Sequence, residues 1–360
     1  MRERAAQKLS PEMGRMGAED PSRASSAVPP GHLGSIVVPV ITYRPATLDD
    51  AELASDVMTA AYPTLPQDPV MIRYRWENPR FGYEYMRFLA YRDGRAIAFV
   101  GTVHAPWRKL PDRHCEVEVW LEKGEHSGET LESMYRWVEV KAVTSGAKLL
   151  LSYCGEDEPD VLAVHEALGY ERARTEKVWE LDLTSRGPAL VKEASEARGR
   201  MDSQGIRMVT VDAWDDPRAT HKLFELNERT VQDVPHTLPI VPEQYEDFQG
   251  RLRAPDRRLD RWWVALHGDR PVAMSFLKFP PVRGQIWTGF TCTDPEYRGR
   301  GIARAVKLQS LAQAAELGIP LVCTDNDSQN APMLHINETL GYVRRPGFVE
   351  HHKRVENQGA

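Results

Sequence analysis

The feature that most constrains this chain is that it nearly repeats itself. "AVHEALGY" at 163–170 returns as "HINETLGY" at 335–342, with Glu, Leu, Gly and Tyr coinciding at an offset of 172. Upstream, "LLLSYCGEDEP" and "PLVCTDNDSQNAP" are both an apolar run followed by an acidic, polar turn. Further upstream, "FLAYRDGRAIAFVGTV" (88–103) and "WWVALHGDRPVAMSFL" (262–277) both read as strand, Asp/Gly turn, strand. Each half opens on a β-like run and a polar turn, "TYRPATLDD" and "IRMVTVDAWDD", and then takes on helical periodicity. A unit of roughly 150 residues used twice fills a chain of 360 and predicts two α/β domains.

Four segments follow. Residues 1–39, rich in Ser, Pro, Gly and charge, are expected to be a disordered leader. Residues 40–186 and 205–356 are the two copies, and 187–204 is a polar linker with a short helix-like middle. The leader lacks the apolar core of a signal peptide, and no run approaches the length of a membrane span, so a cytoplasmic location is expected. A net charge of −6 speaks against a general nucleic-acid binder. Cys115, Cys154, Cys292 and Cys323 form no C-x-x-C pair, which argues against a metal or disulfide framework. Cys154 and Cys323 end apolar runs and read as buried small hydrophobes.

The chemistry concentrates in the second half. "GQIWTGFTCT" (284–293) has the Thr and aromatic content of a strand. "DPEY" turns the chain, and "RGRGIARAVKLQSLAQAAELG" then reads as a helix stopped by Gly318. Strand, glycine turn and helix start together make an anion site, because the first amides of a helix have no intrahelical acceptor and the dipole favours negative charge there. Gly299 and Gly301 let the backbone approach a phosphate closely. Arg298, Arg300, Arg304 and Lys307 add four cations, which suits two or more phosphates. The turn is neither a Walker A loop nor a G-x-G-x-x-G dinucleotide fingerprint.

Arg298 to Ala303 matches the [QR]-x-x-G-x-[GA] signature of the GNAT superfamily, the N-acetyltransferases that use acyl-coenzyme A, and "NAPMLHINETLGY" resembles that family's following motif. The resemblance covers most of 204–352. With "DVP" (233–235) and "TDNDSQNAPMLHINETLGY" (324–342) it is similar to a tandem GNAT group common in actinobacteria, to which mycothiol synthase is related. It implies two tandem α/β (α+β) GNAT domains. Each would be a mixed, mostly antiparallel sheet with helices on both faces. It implies acetyl-CoA or another acyl-CoA as co-substrate, without a metal. The pyrophosphate would sit on the turn of Arg298, Gly299, Arg300, Gly301, Ile302 and Ala303. The pantetheine arm would pair with Thr291, Cys292 and Thr293, and Asn330 would bond it.

Two departures matter. Where many members carry a Tyr that protonates the leaving thiolate, this chain has Asn337, which can orient a group but cannot donate that proton. Residues 284–293 hold no carboxylate for the family's usual base, so Asp233, His236 and His335 become the candidates. Cys292 lies beside the expected thioester, but a nucleophilic Cys needs a neighbouring base. In the first half the turn reads Glu125, His126, Ser127, Gly128, and carboxylates there repel pyrophosphate. That copy is expected to keep the fold, lose the coenzyme and serve as a wall of the acceptor cleft.

The reading is an enzyme moving an acetyl or other acyl group from acyl-CoA to a small-molecule amine by direct attack, in the second half, with no nucleic-acid or membrane partner. The alternatives are a donor thioester on an acyl carrier protein and a non-catalytic acyl-CoA sensor.

Overall fold

A computed structural model describes residues 40–106 and 112–355; the expected leader lies outside them. The first half runs β1 (Thr42–Pro45), α1 (Ala51–Ala61), α2 (Pro69–Glu77), β2 (Glu84–Arg92), β3 (Arg95–His104), β4 (His114–Leu121), α3 (Gly128–Thr144), β5 (Leu149–Gly155), α4 (Pro159–Ala167) and β6 (Glu171–Asp182). Helix α5 (Leu183–Asp202) follows. The second half then gives β7 (Ile206–Thr210), α6 (Ala219–Val231), α7 (Tyr245–Arg253), β8 (Trp262–His267), β9 (Arg270–Lys278), β10 (Ile286–Thr293), α8 (Ile302–Glu316), β11 (Leu321–Asp327), α9 (Ala331–Leu340) and β12 (Val343–Arg354). The repeat is exact in the later strands: Ile286 lies 172 residues beyond His114, as Leu321 does beyond Leu149 and Val343 beyond Glu171.

Local chemistry explains the hairpins. Asp93 and Gly94 both take positive φ, 52° and 78°, in the two-residue turn whose twist matches the strands it joins. Along β4, Cys115, Val117, Val119 and Leu121 enter the core under α3. Glu116, Glu118 and Trp120 face the other way, the period-2 signature of a strand with two unlike faces.

The halves do not close separately. Twelve strands among the described residues form one sheet in the order β1-β2-β3-β4-β5-β12-β6-β11-β10-β9-β8-β7. The last strand of each half is inserted into the other. β12 pairs with β5, Phe348 opposite Gly155 and Arg354 opposite Leu149, while β6 pairs with β11, Leu321 opposite Asp182 and Asp327 opposite Glu176. The two exchanged strands also pair with each other. The parallel neighbours are β4–β5 and β10–β11; every other pair is antiparallel. From Val40 onward the chain is one compact unit, in place of two separate sheets.

The expected linker, 187–204, is mostly helix. Asp182 caps α5 by accepting from Thr184 N at 2.8 Å, and Leu183, Gly187, Leu190, Ala194, Ala197 and Met201 form a buried stripe at helical spacing. The Gly187–Pro188 pair suggests a break, but the apolar stripe outweighs it. Trp179 and Leu181 of β6 and Leu183 and Leu190 of α5 share one core with Val306, Leu308 and Leu311 of α8. First-half residues therefore complete the core of the second half. Among the described residues no helix is long and apolar enough to cross a membrane.

Candidate functional site

The site begins with a defect in a strand. β10 pairs with β11 only at Ile286–Val322 and Trp287–Cys323. Immediately beyond, its register with β9 slips between Thr288 and Phe290. Gly289 occupies the slip, and a Cβ there would stand 1.9 Å from the Phe276 ring, which itself stacks on Trp262 at 3.8 Å. An irregularity of this kind bends a strand and ends its pairing on one side. Past it, Phe290 to Thr293 run on beside β9 but no longer beside β11.

The turn after β10 is pinned from below. Asp294, almost fully buried, accepts from Arg229 at 3.1 Å, from Arg270 at 2.9 Å and from Glu296 N at 3.2 Å. Gly299 and Gly301 then take φ +74° and +76°, the left-handed region that favours glycine. Gly301 is the N-cap of α8, and no side chain caps that helix. Its first-turn amides have no intrahelical acceptor and meet the positive end of the dipole.

Strand defect and uncapped helix open onto one cleft of about 550 Å³. Asp233, Thr291, Cys292, Thr293, Arg298, Gly299, Gly301, Ile302, Ala303 and Asn330 all line it, as does His335. Arg300 is not among its walls; it reaches Gln204 Oε1 at 3.3 Å and stands over the Tyr297 ring. His236 lines a different cleft of about 230 Å³ with Arg174, Glu116 and Glu350. Asn337 is fully buried and does not line the cleft.

Side-chain partners revise several roles. Asp233 is ion-paired with Arg298, so the carboxylate straps the glycine turn. Arg304 pairs with Glu193 of α5 at 2.7 Å. Lys307, expected among the phosphate-facing cations, is fully buried and donates to Asn337 Oδ1 at 2.7 Å; Asn337 Nδ2 donates to Asn326 Oδ1 at 2.5 Å. From Ala305 to Ala312 the helix α8 is buried on all sides, and position 307 does not line the cleft. Asn330 caps α9 by accepting from Met333 N at 3.4 Å. Cys292 is buried, and burial pushes its thiol up to about 12, so it stays protonated.

Sequence reasoning missed the contribution of β6. Arg174 reaches Glu176 at 2.7 Å, Glu350 at 2.5 Å and Asp327 at 3.4 Å, and donates to Pro235 O at 3.0 Å in the loop beside the cleft. Burial, reinforced by Asp325, raises the Glu176 carboxyl to about 7 against the pull of Arg174. No signal within the second half points to these residues, because strand exchange brings them in. Gly289, an isolated glycine in a strand pattern, was a signal that could have been used.

In the first half the turns that correspond to the glycine turn and to Asn330 are occupied by their own side chains. Ser127 caps α3, its hydroxyl accepting from Thr130 N at 3.1 Å. Glu125 is held by Arg92 and Arg95. Glu158, at the position of Asn330, accepts from Gly155 N at 3.0 Å and Lys123 Nζ at 2.7 Å.

Residues 220–342 match the model of the acetyltransferase (GNAT) family. A tandem GNAT protein from the clavulanic acid biosynthesis pathway, without AcCoA, superposes with a TM-score of 0.68 at 17% identity, covering 89% of this chain and 100% of that one. A GCN5-related N-acetyltransferase from Sphaerobacter thermophilus gives 0.61 at 18% identity, over 87% and 95% of the two chains. A GNAT-family acetyltransferase from Colwellia psychrerythraea gives 0.54 at 13% identity, over 88% and 100%. At these identities the likeness is one of fold. A search of curated protein sequences finds no match.

Proposed function

We propose that this chain, whose residues 220–342 match the acetyltransferase (GNAT) family, moves an acetyl group from acetyl-CoA to the amine of a small molecule, in the second half. The observation that carries this reading is the contrast between the two helix starts. Gly301 leaves α8 uncapped over an open cleft, whereas Ser127 caps α3.

In this reading the coenzyme's diphosphate accepts from the amides of Gly299 to Ala303, with Arg298 and Arg304 at its flanks. The pantetheine arm takes the strand edge that β10 leaves unpaired at Thr291 to Thr293. A backbone amide there receives the thioester oxygen as it becomes an oxyanion. Glu176 accepts the proton from the attacking ammonium, since its carboxyl titrates near neutral pH, where a general base works best. The neutral amine adds to the thioester carbon, the oxyanion collapses, the C–S bond breaks, and the proton shed by the nitrogen passes through solvent to the departing thiolate. The thiolate leaves without a dedicated acid, because a thiol pKa near 8.5 makes it a good leaving group. An acceptor bearing positive charge fits the carboxylates of Glu176, Asp327 and Glu350, which gather around Arg174.

A non-catalytic acyl-CoA sensor is the second reading. It is supported by Asn337, whose amide is occupied by Lys307 and Asn326. Calorimetry with acetyl-CoA, followed by thiol-release assays with a panel of small amines, separates the two. Binding together with amine-dependent thiol release supports transfer. Binding without release for any amine leaves the sensor, and no binding removes both.

A further inference from the structure

The duplication also allows each buried position to be compared with its twin. Asn337 of the second half corresponds to His165 of the first, and Asn326 to Cys154, each 172 residues apart. In the second half the site is self-sufficient: Asn337 accepts from Lys307 and donates to Asn326. In the first half it is not. His165 is fully buried, and neither Nδ1 nor Nε2 has a hydrogen-bond partner. A buried imidazole with two unsatisfied nitrogens is costly, and such a group calls for a ligand.

What surrounds it suggests which ligand. Cys154 of β5 and His351 of the exchanged strand β12 converge on His165 of α4. Cys154 Sγ lies 3.9 Å from His351 Nδ1, and the two imidazole centroids are 4.6 Å apart. One ligand atom from each of the three side chains lies within 4.8 Å of the others, and this is the one such group among the described residues. A tetrahedral zinc with Zn–S of about 2.3 Å and Zn–N of about 2.0 Å needs ligand atoms roughly 3.3–3.6 Å apart, so a contraction of about 1 Å closes the site. One thiolate and two imidazoles are the donor set of a borderline-soft ion and exclude Mg²⁺ or Ca²⁺. Cys154 also lines a small cavity of about 90 Å³ with Tyr62 and Trp120.

We propose that Cys154, His165 and His351 bind one Zn²⁺ ion, which fastens the exchanged strand β12 to the first half. Binding replaces the thiol proton: an S–H bond breaks, an S–Zn bond forms, and one proton is released to solvent. Two ligands come from the first half and one from the second, so the ion acts as a staple across the exchange. The sequence hides it because the ligands, 154, 165 and 351, have no metal-motif spacing. The inference is independent of the acetyl-transfer reading.

The test uses the full chain, stripped with a chelator and titrated with Zn²⁺ alone, and with Co²⁺ as a spectroscopic probe. The expected result is one equivalent bound, a thiolate-to-cobalt charge-transfer band, and a melting temperature that rises with added Zn²⁺. Cys154→Ala is expected to lose the band and at least 100-fold in affinity. His165→Asn, which copies the residue of the second half, should weaken binding comparably. If one variant fails to fold, the other decides. Absence of stoichiometric binding to the folded wild type, or unchanged binding in the folded variants, overturns the proposal.

Discussion

Lys307 Nζ donates to Asn337 Oδ1 across 2.7 Å in a fully buried place, and the Tyr342 ring lies 4.9 Å from the same ammonium nitrogen. Among the described residues no carboxylate is ion-paired with it. The contact occupies both side chains with each other, and neither residue lines the cleft above the glycine turn.

That burial has a pH signature. Desolvation lowers the Lys307 ammonium from 10.5 to about 7, with Asp325 opposing. A depressed pKa in the folded state means stability that is complete above the unfolded value and is lost as pH falls toward the folded one. Relative to Lys307→Met, the wild type should therefore gain stability between about pH 7 and 10, by at most ~1.4 kcal/mol per unit. Urea unfolding of both proteins at three pH values measures it. Parallel stability curves would mean that the amine is charged in the fold.

The glycine turn offers a cleaner separation of site from fold. A Cβ at Gly301 meets nothing within 4 Å, so Gly301→Glu costs only the left-handed backbone strain, about 1–2 kcal/mol. Its carboxylate would stand among the amides meant for diphosphate. Acetyl-CoA affinity is expected to fall at least 100-fold with the fold retained, as read by calorimetry and circular dichroism. Glu125→Ala at the sealed first-half turn should barely change activity, and normal coenzyme binding by the Gly301 variant would refute the site.

Glu176 gives the proposed chemistry a titration. With its carboxyl at about 7, kcat/KM should rise with pH through that value as the carboxylate forms. Glu176→Gln is expected to lower kcat roughly 100-fold, the usual scale of a general base, to erase that limb, and to leave acetyl-CoA affinity within twofold. A pH profile unchanged in the variant would move the base elsewhere, with His335 on the cleft wall the next candidate.

The strand defect can be tested by filling it. Gly289→Ala places a Cβ 1.9 Å from the Phe276 ring, an overlap that backbone or ring must relieve. Overpacking of this kind costs ~1–3 kcal/mol. The variant should unfold at lower denaturant, and Phe276→Leu in the same chain should recover part of the loss. If Gly289→Ala is neutral, the glycine does not set the bend.

Much of this was readable from the sequence, for identifiable reasons. The 172-residue offset, the Asp-Gly hairpin and the uncapped glycine turn are local patterns, and Gly299, Gly301, Thr291 and Asn330 do line one cleft. The burial of Lys307 was not available from helical phase, because α8 is enclosed on all sides from Ala305 to Ala312 by tertiary packing. What stayed hidden was non-local. Glu176, Arg174 and His351 matter because a strand from each half lies in the sheet of the other, and no pattern within one repeat specifies its partner. The Gly-Pro pair in 187–204 pointed to a linker, while the apolar stripe around it pointed to the helix that formed.

Strand exchange leads to the final prediction, that neither half is a folding unit. Residues 205–360 alone would lack β6, leaving β11 and β12 with unpaired edges where each now has it as a neighbour. They would also lack Trp179, Leu181, Leu183 and Leu190, which now pack against α8 and its surroundings. Removing four large buried side chains, at ~2–5 kcal/mol each, takes away an amount comparable to the whole ~5–15 kcal/mol by which a protein is usually stable. Unpaired strand edges add an aggregation hazard. The fragment is expected to be insoluble or molten when produced alone, and to become soluble and bind acetyl-CoA when residues 40–204 are co-expressed as a separate chain. A monomeric, cooperatively melting 205–360 fragment would show that the exchanged strand is dispensable.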